Sequence, residues 1–114
     1  MNKEFVPYEL ALKLKQLGFD EPCIATHGYL ELYINTDDGH LKAPLYQQAF
    51  RWFREKYKLS GLIEIGNQEY SFIVFDEETD SRKITPSMNG TYEEAELICL
   101  TKLIEIVEEL KKSE

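Results

Sequence analysis

PLYQQAFRWFREKY, residues 44 to 57, is the stretch that decides the fold, because its large apolar side chains share one face of a helix. At about 100° per residue, these side chains span an arc of roughly 140°. They are Leu45, Tyr46, Ala49, Phe50, Phe53 and Tyr57. Pro44 suits the first turn of a helix, where a missing N–H costs nothing. We therefore predict an amphipathic helix from residue 44 to about residue 59, with its aromatic side buried.

The opposite side of this predicted helix carries polar and basic side chains and is the candidate binding surface. It consists of Gln47, Gln48, Arg51 and Arg54, with Trp52 at its rim. Arg and Trp often supply much of the binding energy at protein interfaces. Residues 51–58 carry a net charge of +3 and form the one locally basic segment. The alternative interpretation is the solvated polar side of a purely structural helix.

Two further helices are predicted at the ends of the chain. The first covers residues 7–17, with a left-handed cap at Gly18 and with Phe19 folded back onto the helix end. The last begins at Thr91, which forms a capping box with Glu94. Its predicted buried face consists of Tyr92, Ala95, Cys99, Leu100, Leu103, Ile106, Val107 and Leu110. Ile98 points away from that face, which predicts a contact there, including contact with a second copy of the chain.

A first pair of strands is predicted at residues 23–27 and 29–35. In the second of these, Leu30, Leu32 and Ile34 alternate with other residues, which is the period of a strand with one dry face. Either Gly28 or the Asp38-Gly39 pair can close the hairpin. The sequence does not decide between the two turns.

A second pair of strands is predicted at residues 62–65 and 69–75, after a break at Ser60-Gly61. Apolar residues occupy both faces of 69–75, which places that strand in the middle of a sheet. Residues 76–89 are polar and rich in turn formers, and residues 83–85 can form a fifth strand. The sequence therefore predicts an α+β two-layer sandwich, a single domain over residues 1–114. It has three helices and one antiparallel sheet of four to five strands, in the order α-β-β-α-β-β-(β)-α.

The net charge of −8 is concentrated in the second half of the chain. Residues 1–60 carry eight basic and eight acidic side chains, whereas residues 61–114 carry five and thirteen. An acidic field repels phosphate groups, so general nucleic-acid binding is not expected. The chain has no membrane-length apolar run and no signal-peptide core, so we expect a cytoplasmic protein without membrane association. Cys23 and Cys99 are expected to be buried free thiols.

The residues that carry chemistry show no catalytic or cofactor pattern. His27 and His40, with Asp37 and Asp38, could hold zinc only if two turns met, and their spacing is not that of a zinc motif. We therefore predict that His27 and His40 are exposed and lie in turns. The acidic run over residues 76–80 lacks the glycine and the closing glutamate of a calcium loop. We predict no catalytic residue, no metal and no cofactor.

Three blocks of the chain resemble a group of short bacterial and phage proteins. The blocks are FVPYELALKLKQLGFDEPC (5–23), APLYQQAFRWFREKYKL (43–59) and TYEEAELICLTKLIEIVEEL (91–110), about half of the chain. The group occurs in Bacteroidetes-type bacteria and in their phages and prophages. It has no assigned activity, so the resemblance implies an origin and a bacterial cytoplasm but no site residue.

Two hypotheses for the function follow. The first is a non-catalytic protein-interaction or regulatory module, acting through the polar side of the central helix or through the acidic second half. The second is a small-ligand-binding domain or an enzyme. Its pocket would lie between a tyrosine-bearing sheet face, with Tyr29, Tyr33 and Tyr70, and the loop at residues 76–89.

Overall fold

The computed structural model describes residues 2–66, 69–84 and 90–113. After a 3₁₀ turn at Asn2–Glu4, these residues form α1 (Tyr8–Gln16), β1 (Ala25–His27), β2 (Leu32–Ile34), β3 (Leu41–Lys42), α2 (Tyr46–Tyr57), β4 (Leu59–Gly66), β5 (Glu69–Asp76), β6 (Ser81–Ile84) and α3 (Tyr92–Lys112). The chain divides into two compact units, an N-terminal unit (1–49) and a C-terminal unit (50–114). The boundary falls inside α2.

The predicted α+β class is confirmed, but the arrangement of the strands differs from the prediction. The described strands form two three-stranded antiparallel sheets, ordered β2-β1-β3 and β4-β5-β6, rather than one sheet of four to five strands. Each central strand is paired on both edges by neighbours from its own unit. The apolar alternation of a sequence identifies strands and their faces, but it does not identify their partners.

The first helix and its cap follow the prediction closely. In α1, the side chains of Leu10, Ala11 and Leu14 are buried. Gly18 has a φ of 104°, a left-handed conformation that glycine adopts without steric cost. The N–H of Phe19 donates to the carbonyl of Leu14 at 2.9 Å, and Phe19 is buried. This is the expected return of the chain onto the helix end.

The structure resolves the choice between the two turns of the first hairpin. The N–H of Gly28 donates to the carbonyl of Glu31 at 2.7 Å, so Gly28 closes the hairpin of β1 and β2. The Asp38-Gly39 pair instead leads to β3, which pairs with the other edge of β1. A small core made of Phe5, Ala25 and Ala43, with Leu32, Ile34 and Leu45 packed against it, lies in this unit.

The predicted strand at residues 29–35 is too long at its start. β2 begins at Leu32, and Tyr29 and Leu30 lie in the turn that precedes it. Leu30 was expected on the dry face but is 97% exposed. The hydrogen bond between Gly28 and Glu31 closes a turn that leaves Tyr29 and Leu30 outside the strand pairing. The strand alternation therefore does not set the direction of the Tyr29 and Leu30 side chains.

The C-terminal unit contains the longest strands of the described chain. β4 and β5 pair over their whole length, from Leu59 opposite Asp76 to Gly66 opposite Glu69. β5 lies between β4 and β6, and its residues 72–74 are buried, which confirms the predicted central strand. β6 overlaps the predicted fifth strand at residues 83–85, of which residue 85 lies outside the described residues.

Ser60 and Gly61 do not form the predicted break after the central helix. α2 ends at Tyr57, and Lys58, with a φ of 58°, makes the turn into β4. Gly61 instead allows close packing within the C-terminal unit. A Cβ atom at Gly61 would lie 2.8 Å from Sγ of Cys99 on α3.

The aromatic side of α2 is buried, as predicted. Phe50 is 3% exposed and Phe53 has no exposed surface. Tyr46 and Ala49 are also buried, and Leu45 and Tyr57 are half-buried. Residues 44–57 therefore supply buried apolar surface to the protein.

α3 packs against β4 and β5 in the C-terminal unit. Most of its predicted face is buried, namely Ala95, Cys99, Leu100, Leu103 and Val107. Tyr92 and Leu110 are 36% and 53% exposed, whereas Glu96 and Ile104 are buried in their place. Ile98 is exposed, as predicted. None of the helices in the described part of the chain is long and apolar enough to cross a lipid bilayer.

Candidate functional site

The polar side of α2, the surface chosen from the sequence, is solvent-exposed over most of its length. Gln47, Arg51 and Arg54 are exposed, and Nε of Arg51 lies 4.0 Å from Oε1 of Glu55 one turn later. Gln48 is half-buried, because its side-chain amide donates to the carbonyl of Pro22 at 2.8 Å. These side chains have the exposure that a binding surface needs.

Trp52 does not lie at an exposed rim, and this prediction is wrong. Its side chain is only 6% exposed. The ring packs at right angles against Phe53 and Tyr57, with centroid distances of 5.1 and 5.5 Å, and Nζ of Lys56 lies 5.1 Å from its centroid. The helix periodicity places residue 52 at the edge of the apolar face, and a ring of this size is largely covered there. Trp52 therefore supports packing and offers little surface to a partner.

A different group of side chains converges in the N-terminal unit. We call Tyr8, His27, Tyr29 and His40 the histidine–tyrosine cluster. The Tyr8 ring meets both imidazoles edge-on, with centroid distances of 5.6 Å to each. Its hydroxyl is hydrogen-bonded to Nε2 of His40 at 2.8 Å. The Tyr29 ring packs against His40, with 4.4 Å between their centroids.

Three backbone features bring the cluster together. Tyr8 begins α1 and His27 ends β1. The N–H of His40 donates to the carbonyl of His27 at 2.9 Å, which fixes the two histidines on neighbouring segments. Gly39 permits this approach, because a Cβ there would lie 2.6 Å from the carbonyl oxygen of His27.

The imidazole of His27 has a defined hydrogen-bonding role. Its Nε2 lies 2.8 Å from the carbonyl oxygen of Val6, and because a carbonyl only accepts, Nε2 carries the proton and donates. His27 therefore ties β1 to the segment before α1. In both histidines Nε2 already has a partner, and no group of three metal-ligating side chains occurs among the described residues.

The cluster borders a shallow cavity of about 360 Å³. Its walls are formed by Tyr8, His27, Gly28, Tyr29, Leu30, Glu31 and Leu32. Tyr29 is 87% exposed. Glu31 supplies the one carboxylate of this cavity, and none of the ion pairs in the described chain includes it. The cavity thus combines aromatic walls with an uncompensated negative charge.

A second, smaller cavity of about 190 Å³ is lined in part by His40 and has a different charge pattern. Lys15, Asp20 and Lys42 contribute to its lining. Nζ of Lys42 donates to Oδ1 of Asp20 at 2.9 Å, and this hydrogen bond lowers the pKa of the Asp20 carboxyl. The carboxylate of this cavity is therefore already paired with a cation.

The two cysteines differ in burial, although both were expected to be buried. Cys99 is fully buried, and this burial raises the pKa of its thiol to about 12. Cys23 is half-buried, and burial raises the pKa of its thiol as well. Both thiols are free in the structure.

The tyrosines of the predicted ligand pocket do not share one sheet face. Tyr33 lies in β2 and Tyr29 in the turn before it, whereas Tyr70 lies in β5, a strand of the other sheet. The ring of Tyr70 contacts Tyr92 of α3 at 5.9 Å between centroids. Of the loop predicted at residues 76–89, residues 85–89 lie outside the described residues.

The histidine–tyrosine cluster was missed because its members are far apart in the sequence. Both histidines stand beside glycines near turns, and that was the available signal. The pairing of β3 with β1 rather than with β2 is what joins them, and residue patterns do not report that pairing.

Comparison with protein-family models, with curated proteins and with solved structures finds no match to this chain.

Proposed function

We propose that the protein is a non-catalytic interaction module that binds another protein in a bacterial cytoplasm, in a host or phage context as the sequence resemblance implies. One observation carries the proposal. Two large side chains, Tyr29 and Leu30, stand at the tip of the first hairpin with 87% and 97% of their surfaces exposed. We call this pair the hairpin tip.

The hairpin tip contributes little to folding. A leucine at this exposure buries almost no apolar surface, whereas a buried one contributes about 1.5–3 kcal/mol. A polar residue or glycine serves a tight turn better than leucine does. The apolar surface at the tip is therefore explained by contact with a partner, and tyrosine is among the residues enriched at the centres of interfaces.

The polar side of α2 is the second proposed surface, and it differs in chemistry from the hairpin tip. It offers Arg51 and Arg54 but no exposed aromatic anchor, because Trp52 is buried. A surface of this kind steers the encounter with an acidic partner more than it strengthens the bound state. We therefore rank the hairpin tip first.

Site-specific photocrosslinking tests the proposal. A photoreactive residue is placed at position 30 of the full chain in bacterial cells, and a matched control carries it at position 62, where a leucine is also exposed. We expect a discrete adduct from position 30. The crosslinked protein is then purified, and its affinity is measured for the unmodified chain and for the Tyr29→Ser/Leu30→Ser variant.

The variant should bind at least about tenfold more weakly, since loss of an interface anchor costs more than about 1.4 kcal/mol. An Ile24→Ser variant, which removes an exposed apolar side chain of the same unit, should bind as the unmodified chain does. Absence of an adduct at position 30, or equal affinity of the tip variant, overturns the proposal for this surface. An Arg51→Glu/Arg54→Glu variant tests the polar side of α2 in the same assay.

A further inference from the structure

We propose that the cavity beside the hairpin tip binds a basic side chain of the partner, a lysine ammonium or an arginine guanidinium. The inference rests on the proposed function and adds the chemistry that the partner must present. Its basis is the combination of Tyr8, Tyr29 and Glu31 around one cavity of about 360 Å³.

The aromatic walls suit a cation. The face of a tyrosine ring attracts a positive charge within about 6 Å of its centroid. Tyr29 is 87% exposed, and its ring is held at one side by contact with His40 at 4.4 Å. Tyr8 is held by its hydrogen bond to His40 and by edge contacts with both imidazoles. Both rings are therefore positioned before a ligand arrives, which lowers the entropy cost of binding.

The charge of the cavity selects a cation over a neutral group. Glu31 belongs to none of the ion pairs in the described chain, so its carboxylate is not neutralised. Lys15 and Lys42 line the other cavity, where Asp20 already pairs with Lys42 at 2.9 Å. Of these two cavities, each lined in part by the cluster, the one with Glu31 carries a carboxylate that belongs to no ion pair in the described chain.

The position and the lining of the cavity suit a long basic side chain of the partner. Lysine and arginine carry long apolar stems that pack along apolar surface while the charged head stays near water. Leu30 and Leu32 contribute to the wall and offer that surface. Because Leu30 also belongs to the hairpin tip, a partner that covers the tip brings its own side chains to the mouth of the cavity.

An NMR titration of the full chain tests the inference. Signals of the Tyr8 and Tyr29 rings are followed during addition of three probes, Nα-acetyl-lysine methylamide, Nα-acetyl-arginine methylamide and the neutral Nα-acetyl-norleucine methylamide. The titration is repeated with Glu31→Gln and with Glu64→Gln, which removes an exposed carboxylate of β4 as the matched control.

We expect the lysine or the arginine probe to bind with a millimolar dissociation constant, about tenfold more tightly than the norleucine probe. Glu31→Gln should remove this preference, and Glu64→Gln should keep it. Equal binding of the neutral probe, or no saturable shift with either cation, overturns the inference. Retention of the preference in Glu31→Gln overturns the role assigned to Glu31.

The inference and the proposed function fail in different assays. If neither cationic probe binds but the tip variant loses affinity for the crosslinked protein, only the cation site is wrong. If the cationic probes bind but the tip variant keeps full affinity, the proposed interaction surface is wrong and the cavity is a cation site independent of it.

Discussion

β4 and β5 of the C-terminal unit pair over eight residues each, whereas the three strands of the N-terminal unit are only two or three residues long. In the C-terminal unit, α3 lies against these long strands and buries apolar side chains such as Leu100 and Leu103 completely. The N-terminal unit also buries apolar side chains completely, among them Val6, Leu14 and Ala43. Apolar burial, the main source of folding stability, therefore occurs in both units, and in the C-terminal unit it extends along long strands.

Polar cross-links also hold the N-terminal unit together. The N–H of Val6 donates to the carbonyl of Pro44 at 2.8 Å, and His27 returns a side-chain bond to Val6 at 2.8 Å. Each such bond contributes only about 0.5–1.5 kcal/mol, but its direction fixes where neighbouring side chains stand. The comparison teaches that long paired strands order the C-terminal unit, whereas directed hydrogen bonds position surface side chains in the N-terminal unit.

The largest expected effect is the loss of a buried ring in the C-terminal unit. Phe53→Ala should lower the free energy of unfolding by about 3–5 kcal/mol, because Phe53 has no exposed surface and a cavity would remain. Urea denaturation followed by the fluorescence of Trp52, the single tryptophan, measures this loss. Leu30→Ala at the hairpin tip should change the free energy of unfolding by less than about 0.5 kcal/mol. Similar losses in both variants would show that the hairpin tip contributes to folding.

The second effect is a difference in thiol reactivity between the two units. Burial raises the pKa of the Cys99 thiol to about 12, whereas Cys23 is only half-buried. At pH 8, iodoacetamide should modify Cys99 of the folded Cys23→Ser variant at least about a hundredfold more slowly than Cys23 of the Cys99→Ser variant. In denaturant the two rates should be equal. Comparable rates in the folded variants would show that α3 opens easily.

The raised pKa of Cys99 also has a consequence for stability at high pH. The ordinary pKa of a cysteine thiol is 9.0, and that of Cys99 in the folded chain is about 12, so the folded state holds its proton more tightly. Its contribution to stability is therefore complete below pH 9 and is lost as the pH rises from 9 to 12. Unfolding at these pH values, with Cys99→Ala as the comparison, should show a smaller alkaline loss in the variant.

The third effect concerns two glycines, one in each unit. A Cβ at Gly61 would lie 2.8 Å from Sγ of Cys99, and a Cβ at Gly39 would lie 2.6 Å from the carbonyl oxygen of His27. Each glycine-to-alanine change should cost about 1–3 kcal/mol of folding free energy. Gly66→Ala in β4 is the control, because no atom lies within 4 Å of a Cβ there. Thermal unfolding measures the loss of stability in all three glycine variants.

The two glycine variants should differ in their effect on the histidine–tyrosine cluster. Gly39→Ala forces β1 apart from the segment that carries His40, so the imidazole signals of His27 and His40 should shift in an NMR spectrum. Gly61→Ala acts against Cys99 and Leu103 in the C-terminal unit and should leave these signals unchanged. Unchanged signals in Gly39→Ala would separate the cluster from the backbone contact proposed to hold it.

Local patterns predicted much of the fold. The periodicity of residues 44–57 identified the buried Phe50 and Phe53, and the Gly18-Phe19 signal identified the end of α1. These features depend on residues within one or two turns of each other, which is the range over which periodicity and caps act. Residues 69–75 were likewise recognised as a central strand from their own composition.

The errors arose where distant segments decide the structure. Two separate sheets were not predicted, because the pairing of β3 with β1 is not encoded in the alternation of either strand. Leu30 was assigned to a dry face because the turn at Gly28 was not resolved from the sequence. The histidine–tyrosine cluster depends on both of these long-range features, so the sequence indicated its histidines without indicating that they meet.

The smallest expected effect compares the starts of two helices, α3 and α1. Oγ1 of Thr91 accepts from the N–H of Glu94 at 3.1 Å, as the capping box predicts, whereas the Glu94 carboxylate accepts from the Thr91 hydroxyl at 3.4 Å rather than from its backbone N–H. Pro7 is the N-cap residue of α1, and no side-chain hydrogen bond caps this helix. Thr91→Ala should therefore lower the free energy of unfolding by about 1 kcal/mol. Thr91→Ser should keep most of the stabilisation that the cap provides. Pro7→Ala removes no capping bond, so a loss as large as that of Thr91→Ala would show that the start of α1 depends on proline's fixed φ.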